Sequence, residues 1–358
     1  MKYEYWFANI KEIGNKTKEQ VRSKVKTAEE LYNIEETGLK EMEIPKETAH
    51  KILQSVKEWK LEAEYQKLID KRVKFYTIFD EEYPSGLKEI SAPPYALYVK
   101  GKLPDEDKIS VAIVGARECT TYGEIMARQY AEMLADAGVQ IISGMARGID
   151  GISQKSALGV GGESYAVLGS GVDLCYPREH YALYTELQKQ GGVISEQPLG
   201  MQPLPQFFPA RNRIISGLSD VVIVIEAKEK SGSLITADMA LEQGKDVYAL
   251  PGASNSILSK GCHNLIRQGA GILLSPKDLL EELGIFHKNK LEKGTENKIL
   301  LESPEKLVYS CLGFYPKSLN QILEECKLTI SGLMMILLNL EQKGYIKETT
   351  KNYYVKVK

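Results

Sequence analysis

Apolar residues recur at helical spacing over the first seventy positions, through Ala28, Leu31, Tyr32 and Ile34 and again through Ile52, Leu53, Val56 and Trp59, with Gly14 and Pro45 as punctuation. Apolar positions three and four apart share one helix face, so 1–70 reads as a small helical domain. The period then changes. Apolar runs at 75–79 and 96–99, around a proline-rich turn, predict two strands at an edge of a larger sheet. From 110 to about 283, short and almost wholly apolar runs alternate with helix-length segments. They predict strands at 111–114, 139–143, 165–168, 192–195, 221–226, 247–250 and 271–274, with helices between them, among others at 122–137 and 237–243. Strands apolar on both faces and separated by helices indicate an α/β fold: a mostly parallel sheet covered on both sides.

Residues 287–298 (HKNKLEKGTENK) are polar and charged and read as part of a linker over 287–303. The remaining segment, 304–358, opens with a helix over 304–312. SLNQILEECKLTISGLMMILLNLEQKGYI then gives helix, turn and helix, followed by two short strands around 350–352, which is a winged-helix pattern. Its second helix, 329–343, has only Glu341 and Lys343 as charges and is rich in Met334, Met335, Leu337 and Leu338. A helix that reads duplex DNA presents basic and amide side chains to the groove. This one therefore reads as a packing or protein-interaction module; the wing lysines Lys347, Lys351 and Lys356 read as a solvated strand face, with phosphate contacts as the alternative.

At 358 residues the chain is long enough for two or three domains, and 43% hydrophobic content supplies their cores. The formal net charge is −2, so a nucleic-acid site must be a local basic patch. Five scattered cysteines without a CxxC pair fit a reducing compartment and speak against a zinc site or a disulfide framework. The histidines show no ligand spacing either. The N-terminus lacks the apolar run of a signal peptide, and no stretch approaches the ~20 apolar residues of a membrane span. The expectation is a cytoplasmic protein with no metal and no cofactor.

Candidate chemistry lies in five glycine-rich turns, each next to a predicted strand. Ligands of open parallel sheets bind beyond the carboxyl ends of the strands, where glycine lets them approach and helix N-termini offer N–H groups. The first turn, VGARECTTYG, offers Gly115 and Arg117. It departs from the three-glycine dinucleotide fingerprint, and Arg117 stands where a pyrophosphate would need room. The second, SGMARGIDG, offers Gly144, Arg147, Gly148 and Asp150. Asp150 reads as a cap of the following helix or a hydrogen-bond acceptor rather than a catalytic acid. The third, GSGVDLCYP, has no basic residue before Arg178, and its Asp173 suits a hydrogen bond to a neighbouring loop. The fourth, FPARNRIISGLSD, sets Phe208, Arg211, Asn212 and Arg213 at a helix start. Arginine binds phosphate with a bidentate fork and an aromatic can stack a base; the alternative is a core phenylalanine and an arginine paired with Glu196 or Glu226. The fifth, KEKSGSLITA, offers Ser231, Gly232 and Ser233 to an anion, or as ordinary helix capping.

Taken in this order, the motifs resemble the DprA/Smf family of DNA-processing proteins. The resemblance covers most of the chain and is strongest over 111–271, where VGAR, SGMARGID, AVLGSGVDLCYP, ISEQPLG, FPARNRIISGLSD, SGSLITA and YALPG fall in register. It implies an extended Rossmann-like domain (71–286) that binds single-stranded DNA, flanked by an N-terminal helical, SAM-like domain (1–70) and a C-terminal winged helix (304–358). It further implies a homodimer that protects incoming DNA and helps load RecA in natural transformation. Carried over by motif as DNA-contacting residues are Arg117, Gly144, Gly148, Asp150, Phe208, Arg211, Asn212, Arg213, Ser231, Gly232 and Ser233. Gly115 and Arg147 join them from the chemistry of the turns. The chain departs from the family pattern at Ser153 and Gln154, where Ala-His is usual, and at His180 and His263.

The leading reading is a non-catalytic single-stranded DNA-binding protein. A Rossmann-like enzyme acting on a nucleotide or nucleoside is the alternative. A catalytic constellation would discriminate them; the sequence shows no Ser/His/Asp set, and Glu196 and Glu226 read as isolated acids that orient arginines. A transcription regulator acting through the winged helix is a third reading, disfavoured by the uncharged second helix.

Overall fold

Strand-forming residues buried on both faces define the centre of the molecule. SVAIV (β3, Ser110–Val114) and VVIV (β7, Val221–Val224) are buried at every position, as are β4 (Gln140–Ser143), β5 (Ser164–Val167) and β6 (Gly191–Ser195). The computed structural model describes residues 1–285, 303–313 and 316–357, so the linker expected at 287–303 lies outside the described residues apart from Ser303. Two units are distinguished: Met1–Glu118 with Ala127–Leu279, and Cys119–Met126 with Leu280–Lys358.

In the first unit the remaining strands are β1 (Lys74–Thr77), β2 (Ala96–Gly101), β8 (Asp246–Ala249) and β9 (Gly271–Ile272). Among the described residues they complete a nine-stranded sheet of order β1-β2-β6-β5-β4-β3-β7-β8-β9. From β6 through β9 in this order every pairing is parallel. β2 joins β6 antiparallel and β1 joins β2 antiparallel, which puts both of the strands expected before residue 109 at one edge. The crossovers within it are helices such as Ile149–Gly159, Phe207–Gly217 and Gly232–Glu242. The last begins five residues earlier than its apolar pattern suggests, because Ser231 caps it by accepting from the Ser233 N–H.

Short helices fill residues 2–70, including Lys2–Ala8 and Lys46–Glu58. They do not keep a core to themselves. Trp6, Phe7, Leu31 and Ile52 belong to one buried cluster with Phe75 and Tyr98 of the edge strands and Tyr95 just before β2. Tyr5 meets Phe75 edge-on at 5.4 Å between ring centroids, and Phe7 meets Tyr95 at 5.6 Å.

The described part of the second unit contains the winged helix. Helices Ser303–Cys311, Leu319–Cys326 and Ile330–Gln342 enclose Val308, Ile322, Leu333, Leu337 and Leu340. The strands Lys317–Ser318, Ile346–Thr350 and Tyr353–Lys356 form a small antiparallel sheet with the last strand in the middle. Ser318 and Gln321 make a reciprocal capping box at the start of the middle helix, and Lys327 ends it with φ 52°. Helix Ile330–Gln342 leaves Ile330, Met334, Met335 and Leu338 exposed. No helix among the described residues is long and apolar enough to cross a membrane.

Candidate nucleic-acid interface

β3 has β4 on one side and β7 on the other, so the chain winds away from it in two directions. Crossovers that diverge in this way leave a crevice beyond the carboxyl ends of the strands. A cavity of about 770 Å³ occupies it. The turn after β3 contributes Gly115 and Arg117, and the turn after β4 contributes Arg147 and Asp150. Helix Phe207–Gly217 adds Phe208, Arg211 and Asn212 from its first turns, and the turn after β7 adds Lys228, Lys230 and Ser231–Gly232–Ser233. Four of the five glycine-rich turns thus meet here through the residues singled out from sequence, and the third reaches the wall through Tyr176.

Arg117 is a cation available to a ligand. It is exposed, its guanidinium lies 5.8 Å from the centroid of the Phe208 ring, and among the described residues no hydrogen bond or ion pair engages it. On Phe208 leans Tyr176, with ring centroids 5.6 Å apart and planes inclined by 36°. Tyr176 is 45% exposed, enough to offer its face to a base. Arg147, Lys228 and Lys230 are exposed around the same cavity, Arg147 being held in an ion pair by Glu179.

Arg211 has a different part. It is 6% exposed and donates from Nη1 to the Gly144 carbonyl at 3.0 Å, while its Nε is buried without a partner. Burial pulls its pKa down to about 10, against the favourable charge of Asp150. The Asp150 carboxylate accepts from the Gly144 N–H at 3.1 Å; burial pushes its pKa up, and Arg211 and the surrounding N–H groups oppose that push. Of the two roles expected of Asp150, it takes that of hydrogen-bond acceptor and not that of helix cap. Gly148 is the cap of helix Ile149–Gly159, and Asp150 sits in the first turn, folded back onto the β4 turn.

The glycines also act differently from the expectation that a ligand approaches them. A Cβ on Gly144 would lie 2.5 Å from Arg211 Nη2 and 2.6 Å from Asp150 Oδ2. One on Gly148, whose φ is +68°, would lie 2.2 Å from the Ala116 carbonyl oxygen, and one on Gly115 2.6 Å from Ile149 Cγ1. These three let protein segments close on one another. Gly232 alone among the candidate glycines has open space where a side chain would begin, at the N-terminus of an eleven-residue helix that faces the cavity.

Arg213 is not brought to the cavity. Its Nη1 and Nη2 fork onto Glu196 at 2.9 and 2.6 Å, and its Nε donates to the Ala92 carbonyl at 2.8 Å. Two positions along a helix turn the side chain by about 200°, so Arg211 and Arg213 face opposite ways. Asn212 lies between them and donates to the Gly232 carbonyl at 3.1 Å, tying the fourth turn to the fifth. Ser231 performs the capping role, with its Oγ 2.8 Å from that of Ser233. Asp173 accepts from the Gly200 N–H at 2.9 Å, the neighbouring-loop bond expected of it, and pairs with Lys71.

Tyr176, Lys228 and Lys230 are wall residues that the sequence reading passed over. The lysines stand in the KEK that leads into SGSL, and Tyr176 in the turn set aside for lacking a basic residue. The positions where the chain departs from the family pattern have structural partners. Ser153 donates to the Asp150 carbonyl and Gln154 to that of Tyr165, His180 Nδ1 lies 3.1 Å from the Met145 carbonyl oxygen, and His263 Nε2 lies 3.0 Å from that of Gly252.

Comparison with known proteins follows the same lines. The family model of DNA recombination-mediator protein A matches residues 74–284, and that of the DprA winged helix domain matches residues 295–349. Protein Smf of Escherichia coli (strain K12) is 41% identical over 281 residues, which is 76% of this chain and 75% of that protein. The X-ray structure of DNA processing protein A (DprA) from Streptococcus pneumoniae superposes with a TM-score of 0.68 at 35% identity, covering 79% of this chain and 98% of that one. DNA processing protein A from Helicobacter pylori, described for its single-stranded DNA binding mode, gives a TM-score of 0.53 at 30% identity, covering 60% of this chain and 97% of that one.

Proposed function

The chain belongs to the DNA recombination-mediator protein A (DprA/Smf) family, and from that premise we propose that it binds single-stranded DNA in the cavity at the head of β3 and β7. The observation that carries the reading is the unengaged Arg117 lying over Phe208 with Tyr176 beside them. A strand of DNA offers phosphates to the cation and unpaired bases to the rings, and base–aromatic stacking does not depend on sequence. Arg147, Lys228, Lys230 and the N-terminus at Gly232 extend the anion-binding wall. Arg211, Asp150, Gly115, Gly144 and Gly148 hold the turns in place behind it.

The cavity favours binding over catalysis. Among the described residues its carboxylates are Glu118 and Asp150, the second engaged by Gly144, and no histidine lines it. General acid–base chemistry needs a proton carrier held against the reacting atom, and Asp150 is taken up in holding the β4 turn. The wider role, by family, is the handling of incoming DNA in transformation inside the cytoplasm, with RecA and a second copy of the chain as partners. Light scattering reads the second copy directly, and a monomer at micromolar concentration overturns it. RecA filaments that grow no faster on an oligonucleotide carrying the protein overturn the other partner.

Labelled oligonucleotides, single- and double-stranded, titrated over a salt series, test the central reading. Single strands should bind more tightly. The log–log slope against salt should be roughly −0.7 per phosphate contact. Equal binding to duplex and single strand, or binding indifferent to salt, rejects it, and tight binding of a free nucleotide with turnover would favour the enzyme reading.

A further inference from the structure

The winged helix brings together two cysteines that lie fifteen positions apart in the chain. Cys311 ends helix Ser303–Cys311 and Cys326 ends helix Leu319–Cys326. Both are free thiols, and their sulfur atoms are 3.3 Å apart, with the Cys326 thiol donating to Cys311 Sγ. A disulfide bond is about 2.05 Å long, so the sulfurs need to approach by only ~1.3 Å. The surroundings of the two differ. Cys326 is 6% exposed in a core shared with Val308, Leu312, Ile322 and Leu333, whereas Cys311 is half-buried at the edge of that core.

We propose that Cys311 and Cys326 are a redox-closable pair, oxidised by a low-molecular-weight disulfide to an intramolecular bond that staples the two helix ends together. The asymmetry sets the order of events. Burial, and then the hydrogen bond to Cys311, push the Cys326 thiol up to about 12, so it is not the group that attacks a reagent from solution. Cys311, the more accessible, loses its proton and attacks one sulfur of R–S–S–R. The Cys311–S–SR bond forms, the R–S–S–R bond breaks, and the departing thiolate takes up the proton. Cys326 then attacks Cys311 Sγ from its position in contact. The Cys311–Cys326 bond forms, the second thiolate leaves, and it accepts the Cys326 proton. Two protein thiols are oxidised and one small disulfide is reduced to two thiols.

The consequence is local. The bond closes a ring that includes the loop joining the first two helices of the winged helix, and a cross-link of this size restricts the unfolded chain. The proposal does not depend on the DNA-binding reading.

The full-length protein incubated with oxidised glutathione tests the proposal. Titratable thiols should fall by two from the five in the chain. Mass spectrometry should show the loss of two hydrogens and a peptide linking 311 to 326. The melting of the winged helix should rise by about 5 °C or more. Cys326→Ala should stop at a stable glutathione adduct on Cys311. If that variant does not fold, Cys311→Ser carries the test, and there Cys326 must remain unmodified. A lasting glutathione adduct on wild-type Cys311, a disulfide between two chains, or five unreacted thiols overturns the proposal.

Discussion

Arg211 donates to the carbonyl of Gly144 across 67 residues of chain, from a position with almost no access to solvent. The hydrogen bond pins the helix that precedes β7 to the turn that follows β4. It also separates two kinds of arginine in one cavity: Arg211 builds the wall, and Arg117 faces outward from it.

Arg211→Ala should therefore act through the fold. Removing it leaves the Gly144 carbonyl and the Asp150 carboxylate buried without their counterpart, a loss of about 3 kcal/mol. Chemical denaturation of the variant measures this, and stability within 1 kcal/mol of wild type would contradict the structural role.

Arg117→Ala should leave the melting temperature unchanged and act on DNA alone. Affinity for single strands should fall about tenfold for all sequences alike, and the salt slope should flatten by roughly 0.7. Phe208→Ala should cost about 1–3 kcal/mol of binding without changing that slope, because stacking releases no counterions. An Arg117→Ala protein with wild-type affinity and slope would exclude this arginine from the interface.

Gly148→Ala and Gly232→Ala should differ sharply. Alanine at 148 would meet both a left-handed backbone and the Ala116 carbonyl oxygen, so the variant should lose several degrees of thermal stability or fail to fold. Alanine at 232 enters open space at a helix start and should melt like wild type. Equal melting of the two proteins would refute the packing role given to Gly148.

A pH dependence is expected from Lys18. It is 7% exposed, its ammonium donates to the Ala8 carbonyl, and burial lowers its pKa from 10.5 to about 8. Between those values the unfolded chain holds a proton that the native protein has released. Stability contributed by this group therefore rises from about pH 8 to 10.5, and its cost is fully present below pH 8. Lys18→Met should be more stable than wild type at pH 7, by about 1–3 kcal/mol, and should lose that advantage toward pH 10. A difference between the two proteins that stays constant with pH would refute the assignment.

Truncation after Gly284 should leave single-strand affinity within about threefold, under ~1 kcal/mol. The exposed face of helix Ile330–Gln342 consists of Ile330, Met334, Met335 and Leu338, which offer nothing to a phosphate. A tenfold loss from a truncated protein that remains folded would assign DNA contacts to the winged helix.

The sheet was legible in the sequence because its central strands are apolar on both faces, and VAIV and VVIV admit few other environments. The cavity was legible as a set of turns, since each turn carries its own glycine or arginine signal. The division of labour within it was not. Arg211 and Arg213 are two positions apart in the same motif, and only the facing of their helix sends one behind the cavity and the other to Glu196. Tyr176 gains its place from the Phe208 ring, thirty-two residues later in the chain, and nothing local to it announces that contact. The sharing of a core between residues 2–70 and the edge strands was hidden for the same reason, because periodicity shows which face of a helix is buried and not what covers it.

The strand order has a further consequence for the making of the protein. β3 receives β4 soon after it is synthesised, but its other partner is β7, with Val111 opposite Val221. At about 5–20 residues per second, roughly 5–20 seconds separate the two. Through that interval the nascent chain presents a strand that is apolar from Val111 to Val114 with one unpaired edge, the form that recruits strands from other chains. The hazard belongs to the ribosome-bound chain and ends when the sheet closes. Yield in cells should therefore respond to chaperone supply and translation speed between residues 114 and 221 far more than to the stability of the finished protein.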